Sequence, residues 1–263
     1  MNRALNWLPG LAGGESLPGY PASLRVVDAE LDNRLARFIA VVPDADNPFP
    51  RARAGEVGLL EGWGLAKAVN EAVAADRHGE KRAIVAVIDV PSQAYGRREE
   101  ALGIHQALAG AVEAYALARL AGHPVIGLLV GKAMSGAFLA HGYQAQRLIA
   151  LDDSGVLVHA MGKAAAARIT LRSVEQLEAL AAEIAPMAYD LDSYASLGLL
   201  WRRLSVQDAE SPTPEDIAQV RACLAEAVRD IGASTDLTSR LDGENRRASR
   251  EVRARLRQQW QEA

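Results

Sequence analysis

The stretch Val125-Ile-Gly-Leu-Leu-Val-Gly131-Lys-Ala-Met-Ser135-Gly136-Ala-Phe-Leu-Ala-His141-Gly142 constrains the fold more than any other part of this chain. Its first half is an apolar run rich in Val, Ile and Leu, the signature of a buried strand. The strand is expected to end at Gly131, where small residues around Ser135-Gly136 hand the chain over to an apolar helical pattern. A strand that passes into a helix in this way leaves N–H groups at the helix start without intrahelical partners. Those groups and the helix dipole favour negative charge. Gly136 has no side chain, so an oxygen atom can approach its N–H closely. Set against a thioester carbonyl, such a donor stabilises an enolate or a tetrahedral oxyanion. The plainer reading is that these glycines only let the helix pack against the strand.

At 263 residues the chain can bury one sizeable core with some extension, so one domain is expected rather than two. Charged residues make up 24% and the formal net charge is −4, which argues against general affinity for nucleic acid. The single cysteine, Cys223, excludes an internal disulfide and an all-thiolate zinc cage, and it fits a reducing compartment. The N-terminus lacks the apolar core of a signal peptide, and no stretch reaches the length of a membrane span. A cytoplasmic protein with no membrane partner is expected.

Residues 1–22 contain Pro9, Gly10, Gly13, Gly14, Pro18, Gly19 and Pro21, a density of breakers that reads as an irregular arm. Leu24–Leu31 and Arg34–Val42 flank Asp32-Asn33 and predict a hairpin. Pro43 to Pro50 is a loop. From Glu56 the chain alternates: a helix carrying Leu59, Leu60, Trp63, Leu65, Ala66, Val69 and Val73, a strand Ala83–Asp89, a helix over roughly Glu99–Leu120, then the strand and helix described above. A strand at Arg147–Leu151, a short strand Gly155–His159 and a helix over Ala160–Arg168 follow. Such alternation implies right-handed crossovers and a largely parallel sheet. Beyond Thr170 helices are expected at Val174–Ile184, Ala188–Leu197, Pro214–Ile231 and Glu244–Trp260.

The loop Asp89-Val-Pro-Ser-Gln93-Ala94-Tyr95-Gly96 and the Ser135 turn each leave the carboxyl end of a strand. Ligands of open α/β sheets bind beyond such ends, so the two loops can face one ligand and each can donate an N–H, from Gln93 or Ala94 and from Gly136. Alone, Asp89-Val-Pro reads equally well as an ordinary strand-ending turn. Of the five histidines, His78 and His123 fall at predicted helix ends and read as capping or surface residues. His105 lies within a helix, and His141 follows Ser135 on the next one. His159 ends a short strand beside a polar turn and is the candidate for proton transfer, imidazole being the side chain that titrates near neutral pH. No pair has the H-E-x-x-H spacing, so no bound metal is expected. The basic segment Arg246, Arg247, Arg250, Arg253, Arg255 and Arg257 reads as a solvated helix paired with Glu244 and Glu251, or as a docking face for an acidic partner.

The motifs resemble those of the crotonase superfamily, and within it the carboxyltransferase subunits that act on acyl thioesters. Asp89-Val-Pro-Ser stands where those subunits have Asp-Thr-Pro-Gly, and Gly131 to Gly142 matches their glycine-rich turn without a gap. Val158-His-Ala-Met-Gly162-Lys-Ala-Ala occupies the place of a Ser-Pro-Glu-Gly turn. The run Asp44-Ala-Asp-Asn-Pro-Phe-Pro-Arg-Ala-Arg-Ala-Gly-Glu-Val-Gly-Leu-Leu-Glu-Gly-Trp63 is similar to gamma subunits of biotin-independent malonate decarboxylases, and that likeness extends through about residue 205.

The resemblance implies an α/β chain with a crotonase-like (ClpP/crotonase) fold: stacked β/β/α units, a mostly parallel sheet and peripheral helices. It implies a domain over 23–205, with helices of 206–263 packing on it or on a partner. It further implies a malonyl thioester carried by a coenzyme-A-like group on an acyl carrier protein, no biotin, and a site shared with a homologous beta subunit. The alpha subunit, an acyl-carrier-protein transferase, belongs to the same implied complex. Gly136 with Gln93 or Ala94 would form the oxyanion hole, Ser135 would orient, and His159 would protonate the α-carbon. Gly131, Gly96 and Gly162 would lie against the substrate. Hydratases of this superfamily carry a glutamate where Leu139 stands, so hydration is not expected. Two alternatives remain. Ser135 and His159, 24 residues apart, match the spacing of caseinolytic-type serine proteases, although a residue is missing after the serine and no orienting Asp stands out. The chain can also be a catalytically silent subunit.

Overall fold

The computed structural model describes residues 2–262, and its first helix already departs from the expectation. The segment read as an irregular arm contains α1 (Arg3–Ala12), capped by the Asn2 side chain, which accepts from the Leu5 N–H at 3.3 Å. Ala4, Trp7, Leu8 and Leu11 are buried along one face at helical spacing. That stripe outweighs Pro9 and Gly10. Gly10 in fact lies against Ile217, where a β-carbon would sit 2.6 Å from Cδ1. Trp7 is wholly enclosed and its Nε1–H donates to the Ala209 carbonyl at 2.8 Å.

The hairpin is as expected. Asp32 and Asn33, with φ of 54° and 61°, close the two-residue turn between β1 (Leu24–Leu31) and β2 (Arg34–Val41). Two successive left-handed residues give a turn whose twist matches its strands, and Asx residues tolerate that geometry. After α2 (Leu59–Ala75) the chain enters β3 (Ala83–Val90), parallel to β2 and buried at every residue. The helix foreseen over 99–120 is two, α3 (Arg97–Ala101) and α4 (Ile104–Leu120), because Gly103 at φ 83° turns the backbone between them.

β4 (Val125–Met134) lies parallel to β3, followed by α5 (Ser135–Ala140) and β5 (Arg147–Leu151). The strand near 155–159 is only β6 (Val158–His159), which pairs with the end of β4. Three helices come next, α6 (Lys163–Ile169), α7 (Val174–Glu183) and α8 (Leu191–Ser196), before an unforeseen β7 (Arg202–Leu204) joins β5. The sheet runs β1-β2-β3-β4-β5-β7, parallel except for the first pair.

α9 (Pro214–Ile231) spans the residues expected. The Thr213 hydroxyl accepts from the Asp216 N–H at 3.1 Å while the Asp216 carboxylate accepts from the Thr213 N–H at 3.0 Å, a reciprocal cap. Its Val220, Leu224 and Ala227 join the same core as α1 and the sheet. α10 (Arg247–Glu262) has no buried residue, and no described helix is long and apolar enough to cross a membrane.

Candidate active site

Asp89, at the end of β3, organises the carboxyl edge of the sheet. Register with β4 holds from Ile84↔Val125 to Ile88↔Leu129 and then shifts, so that Val90 faces Ala133. β4 therefore gains two residues there, a bulge, which bends a strand and redirects the residues after it. The Asp89 carboxylate fills the jog: it accepts from the Lys132 N–H at 2.9 Å and from the Arg3 N–H at 2.6 Å. A β-carbon on Gly131 would overlap that carboxylate. The strand thus continues past Gly131 to Met134, and Gly131 serves the bulge and not the cavity wall. Arg3 closes the arrangement from outside, with its guanidinium on the Val130 carbonyl at 3.2 Å and paired to Asp153 and Glu210 at 2.7 Å each.

The bulge delivers Ser135 into a left-handed conformation, φ 62°. For a non-glycine residue this is uncommon, and it clusters at functional turns. The next N–H, that of Gly136, points at the Gln93 side chain: it donates to Oε1 at 2.7 Å, and the Ser135 hydroxyl donates to the same oxygen at 3.0 Å. The two loops expected to face one ligand do converge. Two donors meet on a single carbonyl-type oxygen, and here that oxygen belongs to the protein.

Gln93 is held in turn by a parallel bridge to Val57, in which Val57 N–H donates to Ser92 O at 3.1 Å and Ala94 N–H to Val57 O at 2.9 Å. The Ala94 N–H is therefore committed to the backbone and does not serve as a second donor. Gln93, the bridged residue, turns its own N–H away from Val57 by the geometry of a parallel ladder. Val57 is fixed where α2 begins, by buried Glu61, whose carboxylate accepts from the Gly58 N–H at 2.9 Å, from Asn47 at 2.7 Å and from Ser23.

Beyond these loops lies a cavity of about 620 Å³ lined by Gln93, Ser135, Gly136, Leu139, His159 and Tyr194 among others. Gly162 also lines it, whereas Gly131 and Gly96 do not. Gly96 is wedged against Glu99 and Arg51, where a β-carbon would sit 2.6 and 2.7 Å from their side chains. Among the described residues, no Asp, Glu, Lys or Arg lines the cavity.

His159 comes beside this turn through the β4–β6 pairing, in which it faces Met134. Its ring stacks on Tyr189 at 3.8 Å between centroids, and Nδ1 lies 3.0 Å from the Met161 carbonyl. Burial lowers its pKa below the ordinary imidazole value, opposed by the carbonyls of Met161 and Met187, so the ring is neutral near pH 7. Among the described residues no hydrogen bond joins it to Ser135, whose hydroxyl is spent on Gln93. The serine-nucleophile pairing is absent.

The other histidines are structural or peripheral. His141 is enclosed, bonded to the Tyr115 hydroxyl at 3.1 Å and the Val87 carbonyl at 3.2 Å. His123, expected at the surface, is fully buried because the Arg82–Asp76 pair closes over it; its Nδ1 meets the Arg82 carbonyl at 2.9 Å. His78 and His105 are exposed. Sequence reasoning missed the aromatic wall of Tyr143, Tyr194 and Phe138, since Tyr194 arrives from a distant helix with no local motif.

Comparison with known proteins bears on this geometry. The family model "Malonate decarboxylase gamma subunit" matches residues 52–260. A malonyl-S-ACP:biotin-protein carboxyltransferase of Malonomonas rubra is 33% identical over 187 residues, 70% of this chain and 61% of that protein, so the chain spans about three-fifths of this relative's length. A chain of a Pseudomonas malonate decarboxylase hetero-tetramer in complex with coenzyme A is 71% identical, with TM-score 0.96 over 99% of this chain and 100% of the other. The Pseudomonas MdcD–MdcE hetero-dimer gives 69% identity and TM-score 0.92 over the same shares. Transcarboxylase 12S, at 20% identity and TM-score 0.64 over 88% of this chain and 41% of its own, shares the fold. With its crotonase-type α/β sheet and a family match running from the loop before α2 almost to the end of α10, the chain belongs to the malonate decarboxylase gamma-subunit family.

Proposed function

We propose that this chain supplies one side of a site that decarboxylates, or transfers the carboxyl group of, a malonyl thioester. The thioester is presented by a coenzyme-A-like arm on an acyl carrier protein, and a homologous beta subunit completes the site. The complex also contains the alpha, acyl-carrier-protein transferase, subunit and works in the cytoplasm, without biotin. One observation carries the reading: the Gly136 N–H and the Ser135 hydroxyl converge on Gln93 Oε1, an amide oxygen standing where a thioester oxygen would be received. The Pseudomonas relative crystallised with coenzyme A and the malonyl-S-ACP activity named for the Malonomonas relative support the choice of substrate.

In the reaction the bond from the α-carbon to the carboxylate breaks, CO₂ departs, and the electron pair passes into the thioester as an enolate. Negative charge grows on the thioester oxygen, so donors already in place lower the barrier. The incoming oxygen displaces the Gln93 side chain and takes the Gly136 N–H; the Gln93 N–H is the second donor. Ser135 orients the group, and Gly162 lines the substrate's path. His159, in the same wall, takes a proton from solvent and passes it on to the α-carbon, returning to the neutral ring.

The test is reconstitution. The isolated chain should release little CO₂ from malonyl carrier protein, and addition of the beta subunit should restore turnover. Full activity of the chain alone, with no partner detectable by mass, would overturn the shared site. Full activity of the beta subunit alone would instead make this chain a silent subunit.

A further inference from the structure

Tyr194, on α8, lines the same cavity as Gly136, and its residue surface is 9% exposed. Among the described residues its hydroxyl is one of four buried side-chain polar atoms with no hydrogen-bond partner. An unmade bond of this kind is destabilising, and Phe would fill the same volume without it. The unused donor stands in a wall free of Asp and Glu.

Behind that wall lies positive charge without a counter-ion. Arg240 sits 5.1 Å from the centre of the Tyr143 ring, itself part of the wall. Its Nη1 donates to the Tyr143 carbonyl at 2.9 Å and its Nη2 to that of Ala145. Arg246 is likewise spent on a carbonyl, that of Leu197, at 3.0 Å. Among the described residues neither arginine has a carboxylate within ion-pair distance, whereas Arg3, Arg37, Arg82, Arg147 and Arg203 each do. Burial holds the Tyr194 phenol protonated, with the two arginines opposing that effect only in part. A neutral donor backed by unpaired cations, with no competing acid, selects an anion.

We propose that Tyr194 is a specificity residue whose hydroxyl binds the free carboxylate of the acyl group, so that the cavity accepts a carboxylated acyl chain over an uncharged one. The assignment rests on the thioester reading above. A bond to that carboxylate belongs to the ground state, because the carboxylate is leaving as neutral CO₂ in the transition state. It governs binding and does nothing for the chemical step.

The experiment is Tyr194→Phe in the reconstituted complex, with equilibrium binding of malonyl-CoA, acetyl-CoA and free malonate measured beside kcat and KM. Loss of one charge-assisted bond predicts malonyl-CoA binding weaker by about 10- to 100-fold. Acetyl-CoA affinity should be unchanged, kcat unchanged or raised, and thermal stability not reduced. Free malonate tells whether the carboxylate alone is recognised or only as part of the thioester; its binding should weaken in the variant if it occupies this site.

Equal weakening toward both thioesters would place Tyr194 on the thioester arm and overturn the proposal. So would unchanged malonyl-CoA affinity, or a fall in kcat at constant KM. Binding needs no turnover, so the assignment is tested even if the complex proves inactive. Absence of turnover in the wild-type complex would strike the functional reading alone.

Discussion

Replacement of Gly136 by alanine separates the oxyanion role from mere packing. A methyl built there overlaps Gln93 Oε1, while the next neighbour, Leu108 Cδ1, is at an ordinary 3.5 Å. Only the end of a flexible side chain has to move, so the protein should fold. Swinging Gln93 away costs the bonds at 2.7 and 3.0 Å, at about 1 kcal/mol each. Ala in place of Gly in a helix returns about 0.5–1 kcal/mol. The net is about 1 kcal/mol, a melting shift of about 2–4 °C for a chain of this size. The catalytic effect should be far larger. The methyl takes the place of the acceptor oxygen, and loss of one oxyanion donor lowers kcat by about 10²–10³-fold. The control is Gln93→Ala, which gives up the same two bonds but leaves the oxygen's place open. It should show a similar melting shift and a turnover loss below about tenfold, since one hydrogen bond of about 1 kcal/mol sets the scale. CO₂ release from malonyl carrier protein and differential scanning fluorimetry on the reconstituted complex suffice. Gly136→Ala with turnover within about threefold of wild type, a difference under 1 kcal/mol, would refute the donor assignment.

His159→Ala should lower turnover by about 10²–10⁴-fold with thioester affinity nearly unchanged, as measured by kcat beside equilibrium binding; wild-type turnover would make the histidine structural. Ser135→Ala should be milder, about tenfold or less, because its hydroxyl contributes one bond. His141 makes a prediction about pH. Full burial brings its pKa down to about 4, so between pH 6.5 and 4 the unfolded chain takes up a proton that the folded chain refuses. Its contribution to stability is complete above pH 6.5 and is lost as pH falls, by about 2 kcal/mol between pH 7 and 5. Urea unfolding of His141→Gln at both pH values should show a correspondingly shallower dependence, and an unchanged slope would remove His141 as its source.

Periodicity and turn chemistry made most of the fold legible. Asp32-Asn33 marks its hairpin, the helix expected at Pro214–Ile231 is α9, and the apolar runs at 83–89 and 125–130 mark the central strands. α1 is not legible from its breakers, because the 4-7-8-11 stripe that outweighs them packs on partners remote in sequence. The convergence of Gly136 and Gln93 was legible because both follow the ends of strands that turn out to be neighbours. Three features were not. Commitment of the Ala94 N–H to Val57, the wedging of Gly131 against Asp89 and the arrival of Tyr194 all depend on contacts between distant segments.

Asn2 donates from Nδ2 to the Asp89 carbonyl at 2.9 Å, and with Arg3 it ties α1 to β3, to β4 and to Asp153. This gives α1 leverage over local unfolding of the sheet's carboxyl edge. Were α1 to detach, the Asp89 carboxylate would keep only the Lys132 N–H, and the bulge that sets the φ of Ser135 would lose its outer buttress. Detachment of α1 and loosening of the Ser135 turn are thus one fluctuation, which hydrogen exchange would register as shared protection of the Arg3 and Lys132 amides.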